Sequence, residues 1–154
     1  MSALDFLQAG AILPAVKATA KKQLLQELAQ AAAPLTGLDE RAIFDSLLQR
    51  ERLGSTGIGN GVAIPHGKLA GVKTLFGLFA RLDKPIEFEA LDGDPVDLVF
   101  VLLAPEGAGA DHLRALARVA RIFRDPETVQ KLRVTRDAAA LHTLLTEGKP
   151  SQAA

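Results

Sequence analysis

Gly54-Ser55-Thr56-Gly57-Ile58-Gly59-Asn60-Gly61-Val62-Ala63-Ile64-Pro65-His66-Gly67-Lys68-Leu69 is the stretch around which this chain is organised. Five of its residues, Gly54, Gly57, Gly59, Gly61 and Gly67, are glycine. A cluster this dense describes a shaped loop rather than a helix or a long strand, because glycine tolerates backbone angles and close approaches that other residues do not. The loop runs into Val62-Ala63-Ile64, a short apolar strand candidate, and closes on Pro65-His66-Gly67. One imidazole is thereby expected at the end of a buried strand. Two familiar glycine motifs fail here. A P-loop requires G-x-x-x-x-G-K-[ST], but the Gly67-Lys68 pair has Val62 at the first glycine position and Leu69 at the hydroxyl position. A dinucleotide fingerprint requires G-x-G-x-x-G after a strand, and Gly57-Ile58-Gly59 is followed by Val62 where the third glycine should stand.

Working outward, the residues before the loop read as helices. Asp39 is a plausible N-cap for a helix to about Arg52, with Ile43, Phe44, Leu47 and Leu48 as its buried stripe. Ile43, Leu47 and Arg50 are spaced i, i+4, i+7, so Arg50 continues the apolar face four residues before the loop. It is placed either to meet an anion there or to snorkel past the core edge into solvent. Further upstream, Thr19 can cap a helix over residues 20–33 with Leu24, Leu25, Leu28 and Ala32 inward, ended by Pro34. Residues 4–9 could form a helical turn, and residues 12–18 are a weak strand candidate interrupted by Pro14.

After the loop the pattern becomes that of strands. Residues 72–82 and 95–104 are apolar and rich in β-branched and aromatic residues, with turn chemistry at Asp83-Lys84-Pro85 and Asp92-Gly93-Asp94-Pro95. Val96 to Leu103 is nearly continuous, as expected of a central strand covered on both faces. A helix over about 111–123 follows, with Leu113, Leu116, Ala120 and Phe123 as its apolar stripe and Arg114, Arg118 and Arg121 along another face. That arginine stripe reads as a solvated face rather than a docking stripe for an acidic partner. Asp125-Pro126 opens a short helix and Asp137 caps a last one through Leu145. The expected fold class is α/β: a single-domain, three-layer sandwich over 1–154, with a mixed central sheet, helices on both faces, a core of about 4–146 and a flexible tail at 147–154.

Composition narrows the chemistry. Lys plus Arg and Asp plus Glu number 18 each, so no global field draws the chain to nucleic acid or an anionic membrane. Trp and Tyr are absent, which removes the stacking platforms of single-strand binders. The absence of cysteine excludes disulfides, thiolate catalysis and Cys-based metal sites, and the histidines lack a motif such as H-E-x-x-H, so no metal and no cofactor is expected. No stretch approaches the ~20 apolar residues of a membrane span, and the chain reads as soluble and cytoplasmic. His66 by itself could be a hydrogen-bonded core residue, His112 a first-turn helix residue, and His142, with no partner in view, a solvated or edge position.

The sixteen-residue stretch resembles the active-site signature of the enzyme IIA proteins of the bacterial phosphotransferase system, fructose/mannitol type, and most closely the nitrogen-regulatory branch (EIIA-Ntr). Arg50-Glu51 ahead of it, Leu91-Asp92-Gly93-Asp94-Pro95-Val96-Asp97-Leu98-Val99-Phe100 after it, and His112-Leu113 fall in the family's order, over roughly residues 4–146. The resemblance implies a covalent phosphoryl relay in which His66 accepts a phosphoryl group from an HPr-type phosphocarrier. The other ring nitrogen is expected to donate to a backbone carbonyl. Arg50 and His112 are the expected supporting residues, and Ser55, Thr56, Gly57 and Asn60 the expected phosphoryl-binding loop. Without a cysteine for the next transfer, the chain is expected to act on regulatory target proteins. A sugar-pathway IIA relaying phosphate to a separate IIB component is the alternative.

Overall fold

The computed structural model describes residues 4–147, so the tail expected at 147–154 lies outside the described residues except for Glu147. In chain order the elements are β1 (Leu7–Val16), α1 (Lys21–Thr36), α2 (Glu40–Arg52), β2 (Gly57–Gly59), β3 (Val62–Ala63), β4 (His66–Leu69), β5 (Phe76–Ile86), β6 (Val96–Pro105), α3 (Ala110–Phe123), α4 (Pro126–Val134) and α5 (Ala138–Thr146). The six strands form one mixed sheet with β6 in the middle. β5 lies antiparallel to β6 on one side, with Phe79 opposite Phe100, and β1 continues the sheet parallel to β5. On the other side of β6, β3 and β4 run parallel to it in line with one another, with Val62 opposite Leu98 and His66 opposite Leu102, and β2 pairs antiparallel with β3. Helices α1 and α2 pack on each other and on the sheet, while α3, α4 and α5 form the second helical layer. Every residue from Leu98 to Ala104 is fully buried, which is why this strand reads as an unbroken apolar run.

The three-layer α/β architecture is as expected, with local corrections. The turn expected before the strand is confined to residues 4–7, closed by the Leu7 N–H on the Leu4 carbonyl at 3.2 Å, and β1 then runs from Leu7 to Val16 through Pro14, where its register against β5 shifts between Leu13 and Val16. Near the sheet edge a missing N–H costs little, and the Pro14 carbonyl accepts a bond from Arg81 Nη1 at 3.4 Å. Pro34 does not end α1, which runs to Thr36. A proline in the last turn forfeits one helical bond, while the Thr36 hydroxyl bonds the Ala32 carbonyl at 2.9 Å and the Gly37 N–H bonds the Ala33 carbonyl at 2.9 Å, satisfying the terminal acceptors. The N-cap of α1 is Ala20 rather than Thr19, whose N–H and hydroxyl both donate to Gln23 Oε1. Asp83-Lys84-Pro85 is not a turn but lies within β5, where the register against β6 shifts as at a bulge. In α3 the buried stripe is His112, Ala115, Val119 and Phe123; of the expected set Phe123 is buried, Leu116 and Ala120 pack partly buried against the core, and Leu113 is 64% exposed. Both sets have helical spacing, and a histidine at the head of the inward set disguised it. His142 is half-buried and has a partner: its Nε2 meets the Leu7 carbonyl at 2.9 Å and ties α5 to β1, the edge strand of the sheet.

Candidate functional site

The end of α2 and the start of β4 meet because the Asp39 carboxylate caps α2 at the Ala42 N–H (3.1 Å) and its Ile43 and Leu47 side anchors the helix on the core. Gly67 of β4 makes that packing possible, since a Cβ there would collide with Ser46 Oγ of α2. Arg50 projects from the same helix face. Its Nε–H donates to His66 Nε2 at 3.2 Å and its Nη1 donates to the Gly54 carbonyl at 2.9 Å. His66 is half-buried and turns its other nitrogen back over Pro65, with Nδ1 at 2.8 Å from the Ile64 carbonyl. A carbonyl only accepts, so Nδ1 carries the proton, and in a neutral ring Nε2 carries the lone pair. The guanidinium on Nε2 requires the same tautomer.

Pro65 is also why His66 stands where it does. Lacking an N–H, it breaks the line of β3 and β4, while its carbonyl still accepts from the Leu102 N–H at 3.0 Å. His66 therefore begins a strand rather than ending one. His112, on the first turn of α3, brings its ring centroid to 5.5 Å from that of His66, the planes at 47°. It is buried, and its Nδ1 has no hydrogen-bond partner among the described residues. Burial lowers the His66 pKa most, the Arg50 guanidinium lowers it further, and the Ile64 carbonyl and Glu51 carboxylate oppose them. The His112 pKa is likewise lowered, first by burial and then by His66 and Lys68. Both rings are thus biased to the neutral form. The arrangement offers one nitrogen lone pair beside a fixed cation, with a second imidazole at hand.

The glycine-rich stretch folds as a β-hairpin rather than an open loop. Asn60 and Gly61, both at positive φ (57° and 81°), make the two-residue turn between β2 and β3. The Asn-Gly pair is a signal for this hairpin that a reading of the segment as a loop passes over. The hairpin is held from outside: the Asn60 N–H donates to Asp92 Oδ2 at 3.1 Å, and its carbonyl accepts from Arg133 Nη2. Arg133 also grips Asp97 of β6, Nε to Oδ2 at 2.9 Å and Nη2 to Oδ1 at 2.9 Å, through the space a side chain at Gly61 would fill.

Arg50, His66 and His112 are therefore brought together, whereas the four loop candidates are otherwise engaged. The Ser55 hydroxyl donates to the Phe88 carbonyl at 3.0 Å, the Gly57 N–H to Ser55 Oγ at 3.1 Å, and the Asn60 N–H to Asp92. Thr56 is buried, its N–H on Glu51 Oε1 at 3.2 Å and its hydroxyl on Glu51 Oε2. Two neighbours of the site, Glu51 and Lys68, stand in the quoted motifs but are given no role by the sequence. Glu51 is a charged residue only 7% exposed. Lys68 lies two residues beyond His66 on β4, hence on the same strand face, close enough for its charge to act on His112. Alternation along β4 could have flagged Lys68, whereas nothing local marks Glu51 as buried.

Comparison with known proteins matches residues 5–148 to the family of phosphoenolpyruvate-dependent sugar phosphotransferase system, EIIA 2, domains. The nitrogen regulatory protein of Bradyrhizobium diazoefficiens is 63% identical over 145 residues, covering 94% of this chain and 95% of that one. The nitrogen regulatory protein of Pseudomonas aeruginosa is 40% identical over 149 residues, covering 96% and 97%. Among solved structures, the nitrogen regulatory protein IIA-Ntr of Neisseria meningitidis superposes with a TM-score of 0.88 at 38% identity, covering 92% of this chain and 97% of that one. Sequence order, fold and nearly full-length identity agree, and the chain belongs to the EIIA type 2 family of the phosphotransferase system, on the side of its nitrogen regulatory proteins.

Proposed function

We propose that this protein is a phosphoryl-accepting regulatory component of a nitrogen-related phosphotransferase system, with His66 as the acceptor and an HPr-type phosphocarrier as the donor. The observation that carries the reading is the disposition of the His66 ring: Nδ1–H on the Ile64 carbonyl at 2.8 Å and the Nε2 lone pair facing Arg50 at 3.2 Å. In the transfer, Nε2 attacks phosphorus and forms a P–N bond as the P–N bond of the donor phosphohistidine breaks, its electron pair returning to the donor ring. The proton on Nδ1 stays in place, and no separate base is needed because the attacking ring is already neutral. Arg50 then moves from Nε2 to the phosphoryl oxygens, with the His112 ring, its centroid 5.5 Å from that of His66, as the second group beside them.

The output follows from charge. Phosphorylation places a group bearing roughly −1.5 to −2 charges on its oxygens at neutral pH, by analogy with other phosphoryl modifications, and with the proton kept on Nδ1 the net change at the site is about −1. A regulatory target docked over His66 would cover a neutral ring in one state and an anionic phosphoryl group in the other, so the unmodified protein should hold its targets and the phosphorylated one release them. The test is incubation with phosphoenolpyruvate, enzyme I and the HPr-type carrier, followed by intact-mass measurement and pull-down. One acid-labile phosphoryl group is expected on the wild type and none on His66→Ala, with partners recovered by the unmodified protein and by His66→Ala but not by the phosphorylated form. Label persisting in His66→Ala would sink the assignment. Partners recovered equally in all forms, together with onward transfer to a IIB component, would restore the sugar-relay reading.

A further inference from the structure

Glu51 is the acidic residue next to Arg50, at the end of α2, and its environment is unlike that of a surface carboxylate. Its side chain is 3% exposed and bears three donors: Lys21 Nζ at 3.0 Å and the Thr56 N–H at 3.2 Å on Oε1, and the Thr56 hydroxyl on Oε2. Lys21 is itself held, stacked over the Phe88 ring at 4.6 Å and within 3.5 Å of Glu89. Taking a carboxylate and an ammonium out of water is costly, and apolar side chains of similar volume would do as well for stability alone. What this carboxylate achieves is to pin both polar groups on the amino side of Thr56.

The consequence is carried along the backbone. The Thr56 carbonyl accepts from the Ile64 N–H at 3.0 Å, and the Ile64 carbonyl is the acceptor for His66 Nδ1 at 2.8 Å. Glu51 thus holds Thr56, Thr56 holds Ile64, and Ile64 holds the ring. Meanwhile Arg50, one residue earlier, reaches the opposite nitrogen of the same ring directly. We propose that Glu51, braced by Lys21, is a positioning residue for His66: through Thr56 and Ile64 it fixes the carbonyl that keeps the proton on Nδ1, so that adjacent residues at one helix end control both nitrogens of the acceptor. A shift of the Ile64 carbonyl by a fraction of an ångström frees the ring to rotate or to exchange tautomers, and the tautomer with its proton on Nε2 has no lone pair there to attack phosphorus.

This inference rests on His66 being the phosphoryl acceptor, but its first readout does not. In nitrogen-15-labelled unphosphorylated protein, long-range nitrogen–proton spectra report the His66 tautomer. The wild type is expected to show the Nδ1–H form. Glu51→Gln and Thr56→Val are expected to raise a measurable population of the Nε2–H form and to slow phosphoryl transfer from the HPr-type carrier ~10-fold or more, as small misplacements of reacting groups do. Thr56→Ser, which restores the hydroxyl, is expected to return both readouts toward wild type. Thr56→Val removes one hydroxyl and keeps the side-chain shape, so it carries the test if Glu51→Gln does not fold. Wild-type tautomer in the folded variants overturns the proposal, whether or not transfer slows. Labelling that persists in His66→Ala would instead remove the acceptor reading and leave the tautomer result standing.

Discussion

The two halves of the Gly54–Leu69 stretch differ in what they leave unsatisfied. In the hairpin half, the Ser55 and Thr56 hydroxyls, the Gly57 and Asn60 N–H groups and the Asn60 carbonyl are all spent on partners within the protein. In the His66 half, the Nε2 lone pair faces the Arg50 guanidinium, and a buried His112 nitrogen has no partner among the described residues. A buried polar atom without a partner costs stability, so it persists where something else compensates, and here it lies beside the proposed acceptor. The glycines thus serve construction, and the proposed chemistry falls to side chains from three separate elements. This division can be broken or sharpened by substitution.

The largest effects belong to the open half. Arg50→Ala should slow phosphoryl transfer by ~10²-fold or more, the usual loss when a preorganised donor to developing charge is removed, with little change in melting temperature. His112→Ala should act in the same direction. Transfer at the wild-type rate in both would reduce them to structural neighbours.

The closed half should answer in stability instead. Asp97→Ala leaves Arg133 without its ion-pair partner in a partly buried position and should cost about 1–3 kcal/mol, read as a shift of denaturation midpoint. Transfer measured well below the transition should stay near the wild-type rate. Gly61→Ala combines a positive φ with a collision against Arg133 and should cost a similar ~1–3 kcal/mol. If either variant, still folded, slows transfer as much as Arg50→Ala, the hairpin belongs to the chemistry and the comparison fails.

The smallest effect is in pH. Because the folded pKa values of His66 and His112 lie below the ordinary histidine value of about 6.5, the neutral rings survive acidification past that point. Transfer should be flat from neutrality down through pH ~6.5 and fall only at more acid values. The stability linked to these rings has the matching sign: it is complete above pH ~6.5 and is lost as the pH falls through the depressed folded values, because the unfolded chain takes up protons first. Titration of the His66 and His112 ring resonances checks both, and midpoints at or above the ordinary value would contradict the burial argument.

Much of this molecule follows from its sequence alone. The cap at Asp39, the stripes of α1 and α2, the continuous apolar run of β6, and the approach of Arg50 and His112 to His66 are set by short-range periodicity and by a signature whose residues occur in a fixed order. What the sequence left undetermined involves competition between local preference and distant partners. β1 is a strand because β5 pairs with it, despite Pro14. The buried face of α3 was chosen by the layer it packs against, between two stripes of equal periodicity. Glu51 is buried because Lys21 and Thr56, from outside its helix, bring enough donors to cover it. The ring nitrogen left free on His66 was likewise decided only in three dimensions, because a tautomer depends on which acceptor the fold places opposite each nitrogen, and here those are a carbonyl two residues back across a proline and a guanidinium sixteen residues away.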